Sequence, residues 1–263
     1  MFVIEIPYMN LQQIYDTKQV PRWIKLKENK FVVIHKDKAL KIEQKKERFI
    51  MNCSEEEFFK IWFDYFDLKT DYKEAYFQTR RLGKKFKIVA NKGKGIHIVN
   101  QDPFEAYVLS KLIMKVGFEK ASELMIEIAK TYGIEHIQSM REAGRITWYE
   151  WPTPEIMLSR LKKETEIPSK VKSFLERLCN AIVNDGYDFK HSGNDLYKIF
   201  VLGEKMCFPI VGLAKILKRN FKCEAEEFAD IYLNEIENKG MVYMYILHHV
   251  LNPSKEMLYY GTY

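Results

Sequence analysis

Short apolar runs separated by charged turns open the chain. Residues 23–26 (Trp-Ile-Lys-Leu), 31–34 (Phe-Val-Val-Ile) and 39–42 (Ala-Leu-Lys-Ile) are rich in β-branched and aromatic side chains. Lys-Glu-Asn-Lys and His-Lys-Asp-Lys lie between them, so the spacing predicts an antiparallel meander. Residues 48–51 (Arg-Phe-Ile-Met) can add another strand. Ser54 followed by Glu55, Glu56 and Glu57 reads as a helix N-cap with an acidic first turn. Phe58, Phe59, Trp62, Phe63 and Phe66 then fall on one broad apolar face.

From about residue 72 the pattern becomes helical and stays so. Asp102-Pro103 with Glu105 places a cap, a proline at the first helical position and a carboxylate in the first turn. Residues 122–132 form a helix stopped at Gly133, and Thr153-Pro154-Glu155 starts another. Helices are expected over 170–183, 195–202, 209–221, 224–237 and 240–251. The expected architecture is α+β: a β-rich part with one helix over 1–72, packed on an all-helical body over 73–263 that has two lobes. No internal repeat or low-complexity linker interrupts it.

Charge adds one possibility. Lys and Arg number 42 against 36 Asp and Glu, a net charge of +6, which permits phosphate-bearing partners. The basic residues are densest over 41–46, 80–94 and 215–222. Each run can equally be a solvated face. Cys53, Cys179, Cys207 and Cys223 are far apart and show no C-x-x-C spacing, so buried reduced thiols are expected. The histidines show no ligand spacing, and His248 and His249 face different directions on a helix, so neither a metal nor another cofactor is expected. No stretch approaches the roughly 18 apolar residues of a spanning helix, and the first residues lack the features of a signal peptide. A cytoplasmic protein without membrane contact is the expectation.

Six phrases, taken in order, resemble the 8-oxoguanine DNA glycosylase family of the helix-hairpin-helix–GPD superfamily. They are Gln19 with Arg22-Trp23; Trp62-Phe63-Asp64-Tyr65-Phe66-Asp67-Leu68 with Asp71-Tyr72; and Gly95-Ile96-His97-Ile98-Val99-Asn100-Gln101-Asp102-Pro103-Phe104-Glu105. The others are Trp151-Pro152-Thr153-Pro154-Glu155, Phe208-Pro209-Ile210 and the stretch from Gly240 to His248. The resemblance covers nearly the whole chain. It implies an N-terminal antiparallel sheet on a helical body with a substrate cleft between lobes, and DNA as partner. It also implies a reaction. The damaged nucleotide is flipped out, and a lysine amine attacks the sugar C1′ carbon to form a Schiff base. An aspartate supports that lysine, and a G-V-G hairpin grips a DNA phosphate.

The reactive positions depart from that pattern. In the register set by Phe208-Pro209 and by Phe200 with Leu202-Gly203, Asp195 matches the aspartate of K-V-A-D-C, and the lysine position falls on Ser192. A serine hydroxyl cannot form a Schiff base. The catalytic aspartate falls on Val211, which cannot ionise. Between Gly186 and Asp195 the chain is too short for the family's hairpin, so the helix-hairpin-helix is degenerate or missing. The recognition positions fall on Lys18 (a glycine reading the purine), Lys115-Val116 (the asparagines filling the vacated stack), Tyr243 (a glutamine reading the base edge) and Leu247 (an aromatic under the base).

The resulting expectation is a glycosylase-like protein that has lost excision and lyase chemistry and binds nucleic acid or a modified base. An active divergent glycosylase is one alternative. For it, Lys198 or Lys205 could replace the lysine, or Glu105, Asp102 or Asp195 could activate water. A protein-interaction module without a DNA role is another. Each singled-out residue also has a structural reading: Asp102 and Ser192 as helix caps, Tyr65, Phe66 and Leu68 as core, Tyr243 and Trp148 as packed aromatics, and Lys115 as an exposed lysine. The stripe Met241, Val242, Met244, Tyr245 and Leu247 is expected to be core.

Overall fold

The computed structural model describes residues 1–162, 166–189, 217–219 and 221–252. Five strands, β1 (Phe2–Glu5), β2 (Ile24–Lys27), β3 (Lys30–His35), β4 (Lys38–Lys45) and β5 (Arg48–Met51), form one antiparallel sheet of order β1-β5-β4-β3-β2. The meander turns are two residues long, and Asn29, Lys36 and Lys46 take positive φ values of 54°, 51° and 60°. Such a left-handed step lets a two-residue turn follow the sheet's twist. Strand β1 and the short helix α1 (Leu11–Asp16) add to the expected elements, so the region over 1–72 holds more than one helix. Asn10 caps α1 by accepting from the Gln13 amide at 2.9 Å.

Ser54 caps as expected, accepting from the Glu57 amide at 3.1 Å. Past α2 (Glu55–Glu57) comes a π-helical stretch, Phe58–Trp62, and then α3 (Phe63–Tyr65). The wider turn leaves Phe59 half exposed while Phe58, Trp62 and Phe66 are fully buried under the sheet with Phe31 and Phe49.

The second part contains α4 (Tyr72–Arg81), α5 (Lys84–Lys92), α6 (Pro103–Val116), α7 (Phe118–Tyr132), α8 (Pro154–Arg160) and α9 (Ser169–Asp185). Two further helices are α10 (Ala225–Tyr232) and α11 (Lys239–Leu251). Asp102 accepts from the Phe104 and Glu105 amides, both at 3.0 Å, and Thr153 caps α8. Residues Gly240 to His249 are buried on every side, so α11 is the central helix of this part. The expected core stripe on it is core. The expected helices over 195–202 and most of 209–221 lie outside the described residues.

One element corrects the all-helical reading of this part. Strands β6 (Ile134–Met140) and β7 (Gly144–Glu150) form a hairpin. Most of its side chains face solvent, so it has no apolar alternation to betray it. Its tip is fixed electrostatically: Glu142 lies 3.4 Å from Lys30 Nζ and 3.6 Å from Lys41 Nζ, and Lys41 also donates to the Arg141 carbonyl. No helix among the described residues is long and apolar enough to cross a membrane.

Gly95 is where α1 meets the segment leading into α6. Its carbonyl accepts from the Asn10 amide and its amide donates to Gln13 Oε1, both at 2.7 Å. A Cβ there would lie 2.4 Å from Asn10 Cβ and 2.8 Å from the Asn10 nitrogen. Gly95→Ala is therefore expected to destabilise by about 1–3 kcal/mol through overpacking, read as a lowered midpoint in urea unfolding.

Candidate functional site

The phrases that carry the resemblance bind one another. Gln19, fully buried, donates to the His97 carbonyl and to Thr17 Oγ1, both at 2.9 Å, and accepts from the Val99 amide at 3.0 Å. Trp23 Nε1 donates to the Tyr65 hydroxyl at 2.8 Å. Tyr72 donates to Asp67 at 2.7 Å, accepts from the Ile98 amide at 3.0 Å and stacks on His97 with ring centroids 3.7 Å apart. The residue types of these motifs are thus explained by contacts between the sheet and the helical part.

The strongest of these contacts is an ion pair. Arg22 Nε and Nη2 each donate to a Glu105 carboxylate oxygen at 2.6 Å, and Nη1 donates to the Tyr149 carbonyl at 2.6 Å. Both residues are buried, and the guanidinium also lies 5.9 Å from the Trp151 ring centroid. Bidentate geometry satisfies the fork and the carboxylate together. The pair ties the loop before β2 to α6 and β7. Glu105, a candidate for activating water, is consumed in this pair, and Asp102 is consumed as the cap of α6.

One buried histidine supports the same seam. His97 places Nδ1 3.0 Å from the Phe66 carbonyl and Nε2 3.1 Å from the Tyr8 carbonyl. Burial pushes its pKa down to about 4 despite those carbonyls. Burial likewise holds His35, His248 and His249 at about 4, with nearby lysines adding to the effect. Below the ordinary value of 6.5 the unfolded chain takes up protons that these rings refuse. Their contribution is fully present above pH 6.5 and is lost as pH falls toward 4. For His97 alone the linkage amounts to about 3 kcal/mol. Thermal melts are expected to show Tm falling steadily from pH 7 to pH 4, and a flat profile would contradict it.

The recognition positions separate into two pairs. Lys18 sits at the end of α1 with φ +61°, a left-handed conformation that glycine adopts without strain. Its amine lies 3.3 Å from Glu119, whose side chain is 79% exposed, so the pair stands in water. Lys115 is exposed at the end of α6, its amine 4.5 Å from the Phe174 ring centroid. Lys18 and Lys115 thus flank one feature, the Gly117 break between α6 and α7. Tyr243 and Leu247 are instead buried in α11, Tyr243 with its ring 5.8 Å from Phe228. Trp148 is a packed aromatic, stacked on His136 at 4.2 Å.

Ser192, Asp195, Lys198, Lys205 and Val211 lie outside the described residues, as do Phe208-Pro209-Ile210. Among the described residues no group of three His, Cys, Asp or Glu could hold a metal ion. Cys53, Cys179 and Cys223 are buried free thiols; burial lifts Cys53 to about 11 and Cys179 to about 12, away from nucleophilic use.

The family model for the 8-oxoguanine DNA glycosylase N-terminal domain matches residues 2–107. Over that stretch the chain is similar to the N-terminal domain of 8-oxoguanine DNA glycosylases. Those residues include every hydrogen bond of the Gln19, Trp23 and Arg22–Glu105 network except that to Tyr149. Over the whole length the glycosylase fold is matched by solved structures. MBOgg1 in complex with a low-affinity DNA ligand superposes with TM-score 0.77 at 17% identity, covering 95% of each chain. The Clostridium acetobutylicum 8-oxoguanine glycosylase/lyase, in complex with double-stranded DNA containing cytosine opposite 8-oxoG, gives 0.75 at 20% identity. There the overlap covers 95% of this chain and 97% of that one. The 3-methyladenine DNA glycosylase of Archaeoglobus fulgidus gives 0.71 at 15% identity, covering 97% and 100%. No curated protein sequence matches significantly.

Sequence reading missed one cluster. Tyr8, Tyr76, Arg80 and Lys94 meet at the surface beside α1 and α4. The basic run over 80–94 was visible. The contribution of Tyr8 was not, because it comes from a loop with no motif.

Proposed function

We propose that this chain is a DNA-binding protein on a glycosylase scaffold that no longer excises bases or cleaves strands. The observation carrying this reading is the fate of the recognition positions. Tyr243 and Leu247 fill the core of α11, and Lys18 is engaged with Glu119. A base entering where the family's cleft lies would meet Tyr243 and Leu247, already committed to packing. Sequence register supports the chemical half: serine and valine stand at positions 192 and 211, where the resemblance calls for an amine and an acid. The likeness to structures solved with DNA supports the binding half.

Binding without readout of a base rests on phosphate contacts, and these release counterions. A labelled duplex titrated against the protein at salt concentrations from about 50 to 200 mM is expected to show log Kobs falling linearly with log salt. Absence of DNA affinity at the lowest salt would discard this reading in favour of a protein-interaction role.

A further inference from the structure

Residues 78–95 hold seven Lys and Arg and no carboxylate, more than the whole chain's net excess of +6. The remainder of the chain sums to −1, because its other basic runs, 41–46 and 215–222, are offset by carboxylates elsewhere, whereas this segment contains none. In the fold the segment is the end of α4, all of α5 and the turn before Gly95.

Its charges are held together where like charges repel. Arg80 lies 5.2 Å from the Tyr76 ring centroid and 5.9 Å from that of Phe77. Lys94 lies 4.7 Å from the Tyr8 centroid and 5.9 Å from the same Tyr76 ring. The two tyrosine rings are 5.7 Å apart, and Tyr76 is fixed by donating its hydroxyl to Asn91 at 2.8 Å. Lys84 and Lys87 stand exposed on α5, the helix whose Asn91 accepts from Tyr76. Arg81 pairs with Glu74 at 3.4 Å, but no described carboxylate lies within 4 Å of Arg80, Lys84, Lys87 or Lys94.

We infer that this face binds the phosphodiester backbone of nucleic acid, as a surface separate from the Lys18–Lys115 turn. The inference rests on the DNA-binding reading and assigns it a location. Aromatic rings beneath Arg80 and Lys94 restrict where those long side chains can point, so less freedom is lost when a phosphate arrives. Arg80, Lys84, Lys87 and Lys94, cations with no described carboxylate partner, present the complement of a phosphate chain, and neutralising each phosphate adds to the salt slope. The face lies at the N-terminal end of α1, and Lys18 at its C-terminal end. A helix of six residues is about 9 Å long, so the two places are separable by mutation.

The test compares two triple charge reversals in the full chain. Lys84→Glu/Lys87→Glu/Lys94→Glu alters the face. Lys27→Glu/Lys36→Glu/Lys38→Glu makes the same charge change at exposed positions of the sheet. Binding of a labelled 20-nucleotide strand and a 20-base-pair duplex is followed against salt, after thermal melts establish that both variants fold. The face variant is expected to lose at least about tenfold in affinity near 0.1 M salt, with a salt slope smaller by about 2–3. The sheet variant keeps the slope of the unaltered protein. Equal effects from both triples would overturn the location while leaving DNA binding intact. A protein that binds no nucleic acid overturns both readings. Polyglutamate competing as well as nucleic acid would show a face for acidic proteins, which also overturns the inference.

Discussion

Arg22→Ala is expected to destabilise the protein by about 3–5 kcal/mol, the usual cost of leaving one charge of a buried pair without its partner. The substitution strands the Glu105 carboxylate among buried groups and orphans the Tyr149 carbonyl that Nη1 serves. Urea unfolding followed by circular dichroism measures the loss. Glu105→Gln keeps the shape and part of the hydrogen bonding, so it should cost less than Arg22→Ala. The double variant Arg22→Met/Glu105→Leu removes both charges and should recover much of the stability, since a buried pair is often no better than apolar replacements. If Arg22→Ala leaves the midpoint unchanged, the pair does not join the sheet to the helical part as described.

Tyr243→Ala separates packing from recognition. The ring is fully buried against Phe228, so its loss should cost about 3–5 kcal/mol, as for other large aromatic truncations. Tyr243→Phe should keep most of the stability because the ring is retained. DNA affinity of both variants, measured well below their melting temperatures, should match that of the unaltered protein. A side chain that reads a base would give the reverse: little change in stability and a marked loss of affinity.

The meander was legible because each strand is short, apolar and bounded by a charged two-residue turn, and the observed strands lie over the expected ones. The caps at Ser54, Asp102 and Thr153 were legible for a local reason: a side-chain oxygen placed before a helix can reach only its first amides. Strand β1 and helix α1 escaped because they are short and their partners are distant in sequence; β1 is completed only by β5, and α1 by Gly95 and Gln44. The β6–β7 hairpin escaped because it is mostly exposed and so lacks a hydrophobic period.

For the site, the sequence offered a register for the family's reactive positions but not what the residues of the preserved phrases do. Glu105 looked available as an acid because its partner Arg22 lies 83 residues earlier. Gln19 carries the resemblance because its carboxamide is spent on the backbone of His97 and Val99. Both contacts are long-range pairings invisible in local pattern, and for Glu105 the pairing turns a candidate for chemistry into a structural contact. The Gln19 carboxamide, the His97 ring and the Arg22–Glu105 pair are satisfied within this seam, which is what burial demands of them.

The central claim is a glycosylase fold without a reactive amine, and single-turnover borohydride trapping tests it most directly. The protein is held in excess over a duplex carrying 8-oxoguanine opposite cytosine, and borohydride is added to reduce any Schiff base to a stable amine. The account predicts no covalent adduct and no strand cleavage while the duplex is bound. An adduct that disappears in Lys198→Ala or Lys18→Ala would contradict it.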